Sequence, residues 1–152
     1  MSDNRFENAP IQVVEQVNNI ISKYSEFKHL LDANIIILMD LKKRVSGGKI
    51  VLGRAKKAND IEKCIYTDPD GVTQSIDFIL SFDKNVFDVI DENDRERVIR
   101  HELSHCSVNE KGNFIVVPHE ITDFYSEIEF NRTDPQWLDR VSTIADSIYD
   151  EQ

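Results

Sequence analysis

Five residues, His101-Glu102-Leu103-Ser104-His105, limit what this chain can fold into more than any other stretch. On an α-helix, residues four apart share a face, so His101 and His105 present two imidazoles to one point, with Glu102 one residue's rotation away. The segment carries helix signals of its own. Asn93 with Glu96 three residues on has the form of a capping box, and Asp91, Glu92 and Asp94 place negative charge at the positive end of the helix dipole. These signals predict a helix starting near Asn93. Ile99, Leu103 and Cys106 form its apolar stripe, and Val98, His101, Glu102 and His105 lie on the adjoining face. One face packs, and the other is left for chemistry.

Two imidazoles at this spacing make the ligand half of a zinc site. A catalytic zinc takes three protein ligands and keeps its fourth position for water, so a third ligand has to come from elsewhere in the chain. His119 is the only histidine downstream and is the favoured third ligand. It opens a second helical pattern whose apolar stripe is Ile121, Phe124, Tyr125 and Ile128, with His119 and Asp123 on the opposite face. Glu120, Asp123 and Glu127 stay open as competitors, since a carboxylate also completes such a site, and Asp123 has the further option of orienting an imidazole from behind. His29, between Lys28 and Leu30, reads as an ordinary surface or core-edge histidine.

With 152 residues and 40% hydrophobic content, the chain reads as a folded protein. The expected division is a polar tail over residues 1–9 and a single domain over 10–152. A net charge of −10 argues against general attraction to nucleic-acid phosphates or anionic lipid. Lys42, Lys43, Arg44, Lys49, Arg54, Lys56 and Lys57 form a local basic concentration, read as a solvated hairpin surface. The two cysteines, Cys64 and Cys106, lack CxxC spacing, which points to a reducing compartment, and Cys106 reads as a buried core thiol. There is no signal pattern and no apolar run near ~20 residues, so a soluble, cytoplasmic protein without a membrane partner is expected.

Taken in order, Pro10 opens a helix with Val13, Val14, Val17, Ile20, Ile21 and Tyr24 at helical spacing. A strand is expected within Ala33–Leu41 and another over Lys49–Ala55, joined as a hairpin through Val45-Ser46-Gly47-Gly48. Cys64-Ile65-Tyr66 reads as a short strand before the turn Asp68-Pro69-Asp70-Gly71. Ser75–Phe82 reads as a strand that, at a sheet edge over the site, would pair with an extended peptide. Phe114-Ile115-Val116-Val117 is a short strand or extended connector, and Asp134-Pro135 begins a last helix on Trp137, Val141, Ile144 and Ile148. The class is α+β: a small, mainly antiparallel sheet packed on the metal helix, flanked by N- and C-terminal helices.

The HELSH core, the segment His119-Glu120-Ile121-Thr122-Asp123-Phe124 and the stretch Gly48–Lys57 together resemble the phage metallopeptidase family, over about Leu30 to Trp137. More distantly, the order of helix, strands, HExxH helix and then a His with an aromatic a few residues on is similar to SprT-like zinc metallopeptidases. Arg100 stands where many members carry an acid, and Glu120 replaces the glycine of the SprT pattern. The resemblance implies a zincin-like fold, zinc held by His101, His105 and His119, Glu102 as general base, a protein or peptide substrate, and the host cytoplasm as the setting if the chain is phage-encoded. The competing reading is a non-catalytic, zinc-stabilised binding or inhibitory protein that engages a host protein.

Overall fold

The computed structural model describes residues 4–66, 75–118 and 125–150. Strand β1 (Phe6–Asn8) leads into helix α1 (Ile11–Lys23), a 3₁₀ segment (Ser25–Leu30) and strand β2 (Ile35–Asp40). Next come the small hairpin β3 (Val45–Ser46) and β4 (Lys49–Ile50), strand β5 (Gly53–Lys57) and helix α2 (Asp60–Ile65). Strand β6 (Phe78–Asp83), the short helix α3 (Lys84–Phe87) and helix α4 (Glu92–His105) follow. The strand pair β7 (Cys106–Val108) and β8 (Phe114–Val116) and helices α5 (Tyr125–Phe130) and α6 (Trp137–Asp150) complete an α+β protein. No described helix is long and apolar enough to cross a membrane.

The main sheet has the order β1-β2-β6-β5. Its central pair, β2 and β6, is parallel and in register from Ile35 opposite Phe78 to Asp40 opposite Asp83, while β1 on β2 and β5 on β6 are antiparallel. Both central strands are nearly continuous apolar runs, the pattern of strands covered on two sides. Antiparallel pairing therefore predominates as expected, but around a parallel centre.

Four local expectations change. The strand over residues 49–55 does not fold back on β2; β5 pairs with β6, and the hairpin closes on itself as β3 with β4. Its two-residue turn uses Gly47 and Gly48, both at positive φ (58° and 78°), as a hairpin of this twist requires. The strand at residues 75–82 is not an edge: β6 lies between two neighbours, and β5 takes the edge. Cys64-Ile65-Tyr66 is not a strand either, because Asn59 and Glu62 form a capping box that starts α2. At the N-terminus, Phe6–Asn8 of the expected tail is an edge strand, paired with Leu38–Asp40. The turn at residues 68–71 lies outside the described residues.

Alternation along the strands puts Phe78, Leu80 and Phe82 on one face with Ile37 and Met39, and all five are buried. They form one core with Val17 and Ile20 of α1 and Val98, Ile99 and Leu103 of α4, each fully buried side chain contributing about 1.5–3 kcal/mol. Helix α6 buries Trp137, Val141, Ala145 and Tyr149, with Ile144 and Ile148 partly covered beside them. The buried line runs one residue on from the expected stripe because it advances in steps of four.

Candidate metal centre

Helix α4 begins two residues earlier than the expected Asn93 cap. Asp91 is the N-cap, and its side chain accepts a hydrogen bond from the Asp94 amide at 2.8 Å. Glu96 is instead the acceptor for the Tyr24 hydroxyl at 2.7 Å. The packing face is as read from the sequence: Ile99, Leu103 and Cys106 are buried, and burial pushes the Cys106 thiol up to about 12, which makes it an inert core group.

At the far end of α4, His101, Glu102 and His105 bring one ligand atom each to within 4.8 Å of one another. Both imidazoles are half-buried and Glu102 is almost covered. His105 Nδ1 lies 2.6 Å from the Val117 carbonyl oxygen. A carbonyl only accepts, so Nδ1 carries the proton and donates it, which leaves the Nε2 lone pair for a cation. The Val117 amide donates back to the His105 carbonyl at 2.8 Å. This donor set, two imidazoles with one tautomer fixed by its outer partner, fits zinc.

The β7–β8 pair explains how Val117 gets there. Cys106 ends α4 and begins β7, and β8 returns antiparallel with Val116 opposite Cys106, so the next residues lie against His105. Val116, Val117 and Pro118 form one wall of a cleft whose other wall is Gly53, Arg54 and Ala55 of β5, with Glu102 and His105 at its base. His119, the favoured third ligand, directly follows Pro118 and lies outside the described residues, as do Glu120 and Asp123. Glu127 is described, and it is engaged elsewhere: Arg100 Nε and Nη2 donate to its two carboxylate oxygens at 2.8 and 3.0 Å. Among the described side chains of α5 the buried one is thus Glu127, while Ile128, expected on the apolar stripe, is 45% exposed. His29 sits at the core edge as expected, its Nε2 donating to the Cys106 carbonyl at 2.8 Å.

The family model described as "Putative phage metallopeptidase" matches residues 4–149. The chain belongs to that family. Comparison with curated proteins and with solved structures gives no match. Membership carries the coarse functional statement, a metal-dependent peptidase whose substrates are proteins or peptides.

In this member of the family, three residues outside the expected site set support the site or the helix that carries it. Gly53 is one, because a Cβ there would stand 3.0 Å from Glu102 Cγ and 3.0 Å from Phe82 Cδ1. Any larger residue would have to push Glu102 or Phe82 back by a few tenths of an ångström for β5 to stay this close to α4. Val117 is the second, acting through its backbone and so invisible as a residue type. Arg100 is the third: it is fully buried, it also donates to Glu26 at 2.6 Å, and its guanidinium lies 3.8 Å from the Phe130 ring centroid, 4.3 Å from Tyr24 and 5.1 Å from Phe27. Its one sequence signal was its departure from the acid expected before the first histidine.

Proposed function

We propose that this phage metallopeptidase is a zinc peptidase of the HExxH type, with His101, His105 and His119 as metal ligands and Glu102 as general base. The observation that carries the proposal is the convergence of the ligand atoms of His101, Glu102 and His105, two of which, Glu102 and His105, line a cleft beside a sheet edge, with His105 held in the metal-binding tautomer. His119 is proposed from its position one residue past Pro118 on the cleft wall.

When bound, zinc supplies Lewis acidity: it polarises the scissile carbonyl and brings the pKa of a water toward about 7. Glu102 accepts the proton of the attacking water on its carboxylate and delivers it to the leaving amine. Gly53 keeps Glu102 in place by letting β5 close over it. An extended substrate chain is proposed to lie along the outer edge of β5, at the cleft that β5 forms with Val116–Pro118. The setting proposed for the reaction is the cytoplasm of the host.

The test is metal content, measured by elemental analysis on protein purified without added zinc, together with cleavage of unfolded protein substrates. About one zinc per chain is expected, strongly reduced in His105→Ala and in His119→Ala. Glu102→Gln is expected to keep the zinc and lose about 10²–10⁴-fold in cleavage rate. Zinc retained with cleavage unaffected by Glu102→Gln would sink the peptidase assignment, and zinc retained in His119→Ala would sink the third ligand alone.

A further inference from the structure

The charge of this protein is unevenly placed. The chain carries −10 overall, yet Lys42, Lys43, Arg44, Lys49, Arg54, Lys56 and Lys57 fall within sixteen residues that contain no aspartate or glutamate. The last three of these lie on β5, the sheet edge that walls the cleft.

The pairing of β5 with β6 determines which way each residue faces. Asp83 N–H donates to the Leu52 carbonyl and Ala58 N–H to the Asp77 carbonyl, both at 3.0 Å, with Arg54 opposite Ser81 and Lys56 opposite Ile79 between them. Backbone direction alternates along an antiparallel ladder, so Arg54 and Lys56 spend their amides and carbonyls on β6, and Gly53, Ala55 and Lys57 turn theirs outward. Among the described residues no strand pairs with that outward edge. A peptide added there bonds to Gly53, Ala55 and Lys57. Its residues opposite Arg54 and Lys56 then form the non-hydrogen-bonded pairs, in which side chains approach most closely.

At those two positions the edge offers only cations. Lys56 is already paired with Glu62 at 2.9 Å. Arg54 is exposed and has no ion-pair partner among the described residues; the alternation that turns Gly53 toward Glu102 puts the Arg54 side chain on the other face of β5, the face that also receives the side chain of the peptide residue paired with it. We infer that Arg54 is a specificity-determining residue that selects substrates carrying Asp or Glu at the position paired with it across the β5 edge. The inference rests on the peptidase reading above. The local basic stretch also offsets the repulsion that the acidic remainder of the protein exerts on such a peptide.

The experiment is a cleavage-site profile of a proteome-derived peptide library with the zinc-loaded full chain, run for the unmodified protein, Arg54→Glu and the control Lys28→Glu, which makes the same change in net charge away from the cleft. The unmodified protein is expected to enrich Asp and Glu at one fixed distance from the cleaved bond. In Arg54→Glu the kcat/KM ratio for Glu over Lys at that position falls about 2- to 30-fold, carried by KM, because an opposite-charge cross-strand pair becomes a like-charge one. Lys28→Glu retains the preference. Cleavage without acid enrichment, enrichment that survives Arg54→Glu, or equal loss in Lys28→Glu overturns the inference and leaves the peptidase reading standing. Cleavage suppressed by a single-stranded oligonucleotide, with relief in Arg54→Glu, reassigns the patch to nucleic acid. A library left uncut overturns both readings.

Discussion

Arg100 and Glu102 are two residues apart on α4, and they illustrate two uses of a covered charge. Arg100 is sealed on every side, with Glu127 (1% exposed) and Glu26 as counter-ions and the rings of Tyr24, Phe27 and Phe130 against its guanidinium. Its Nη1 has no hydrogen-bond partner among the described residues, and the aromatic faces are what compensate it. Hydrogen bonding by Arg100 holds the Glu26 carboxyl below its usual range, which favours the ionised pair. Glu102 is nearly as covered, but it sits at the base of a cleft beside two imidazoles. A buried charge with dedicated counter-ions holds elements together; one facing a cleft is placed to exchange protons.

The largest effect is expected at Arg100. Replacing it with Met removes the two guanidinium hydrogen bonds from the buried Glu127 carboxylate and is expected to cost about 3–5 kcal/mol, read as a drop in Tm or denaturation midpoint. Adding Glu127→Leu to the same chain should recover most of that loss, since the uncompensated charge goes with it. A double variant as unstable as the single one would show that the pair does more than neutralise itself.

A smaller effect is expected at Gly53. Ala at this position meets Glu102 Cγ and the Phe82 ring at 3.0 Å, an overpacking worth about 1–3 kcal/mol. Because the displaced group is Glu102, peptidase activity should fall by more than stability predicts. Activity loss that only tracks unfolding would remove Gly53 from the site.

The smallest effect concerns another sealed pair, at the far end of the parallel strands. Tyr149 donates to Asp83, and burial, then that hydrogen bond, pushes the phenol up to about 12 from 10, while burial also raises Asp83. The folded chain keeps the phenolic proton that the unfolded chain releases near 10, so stability is intact below pH 10 and declines as pH rises toward about 12. Tyr149→Phe should cost about 1 kcal/mol at neutral pH and flatten that alkaline limb in pH-dependent melting. An unchanged alkaline limb would place its origin elsewhere.

Much of this was legible in the chain itself because it depends on short-range periodicity. The helix carrying His101 and His105, its buried stripe at Ile99, Leu103 and Cys106, the N-terminal helix behind Pro10 and the helix built on Trp137 all follow from residue spacing and end signals. The sequence also determined that two imidazoles and a carboxylate would meet at one point, since four residues on a helix place them there without help from the rest of the protein.

Only the tertiary structure decided what surrounds them. That β6 inserts between β2 and β5, and so hands the cleft edge to β5, depends on strands separated by the whole of β3–β5 and α2 in sequence. No local pattern encodes such a pairing, because every apolar strand is satisfied by more than one neighbour. The buried partnership of Arg100 with Glu127, and the Val117 carbonyl that fixes the His105 tautomer, likewise join segments 27 and 12 residues apart. Side-chain charge says what a residue can bond. Which partner it meets, and whether water is excluded when it does, is settled by the packing of distant segments.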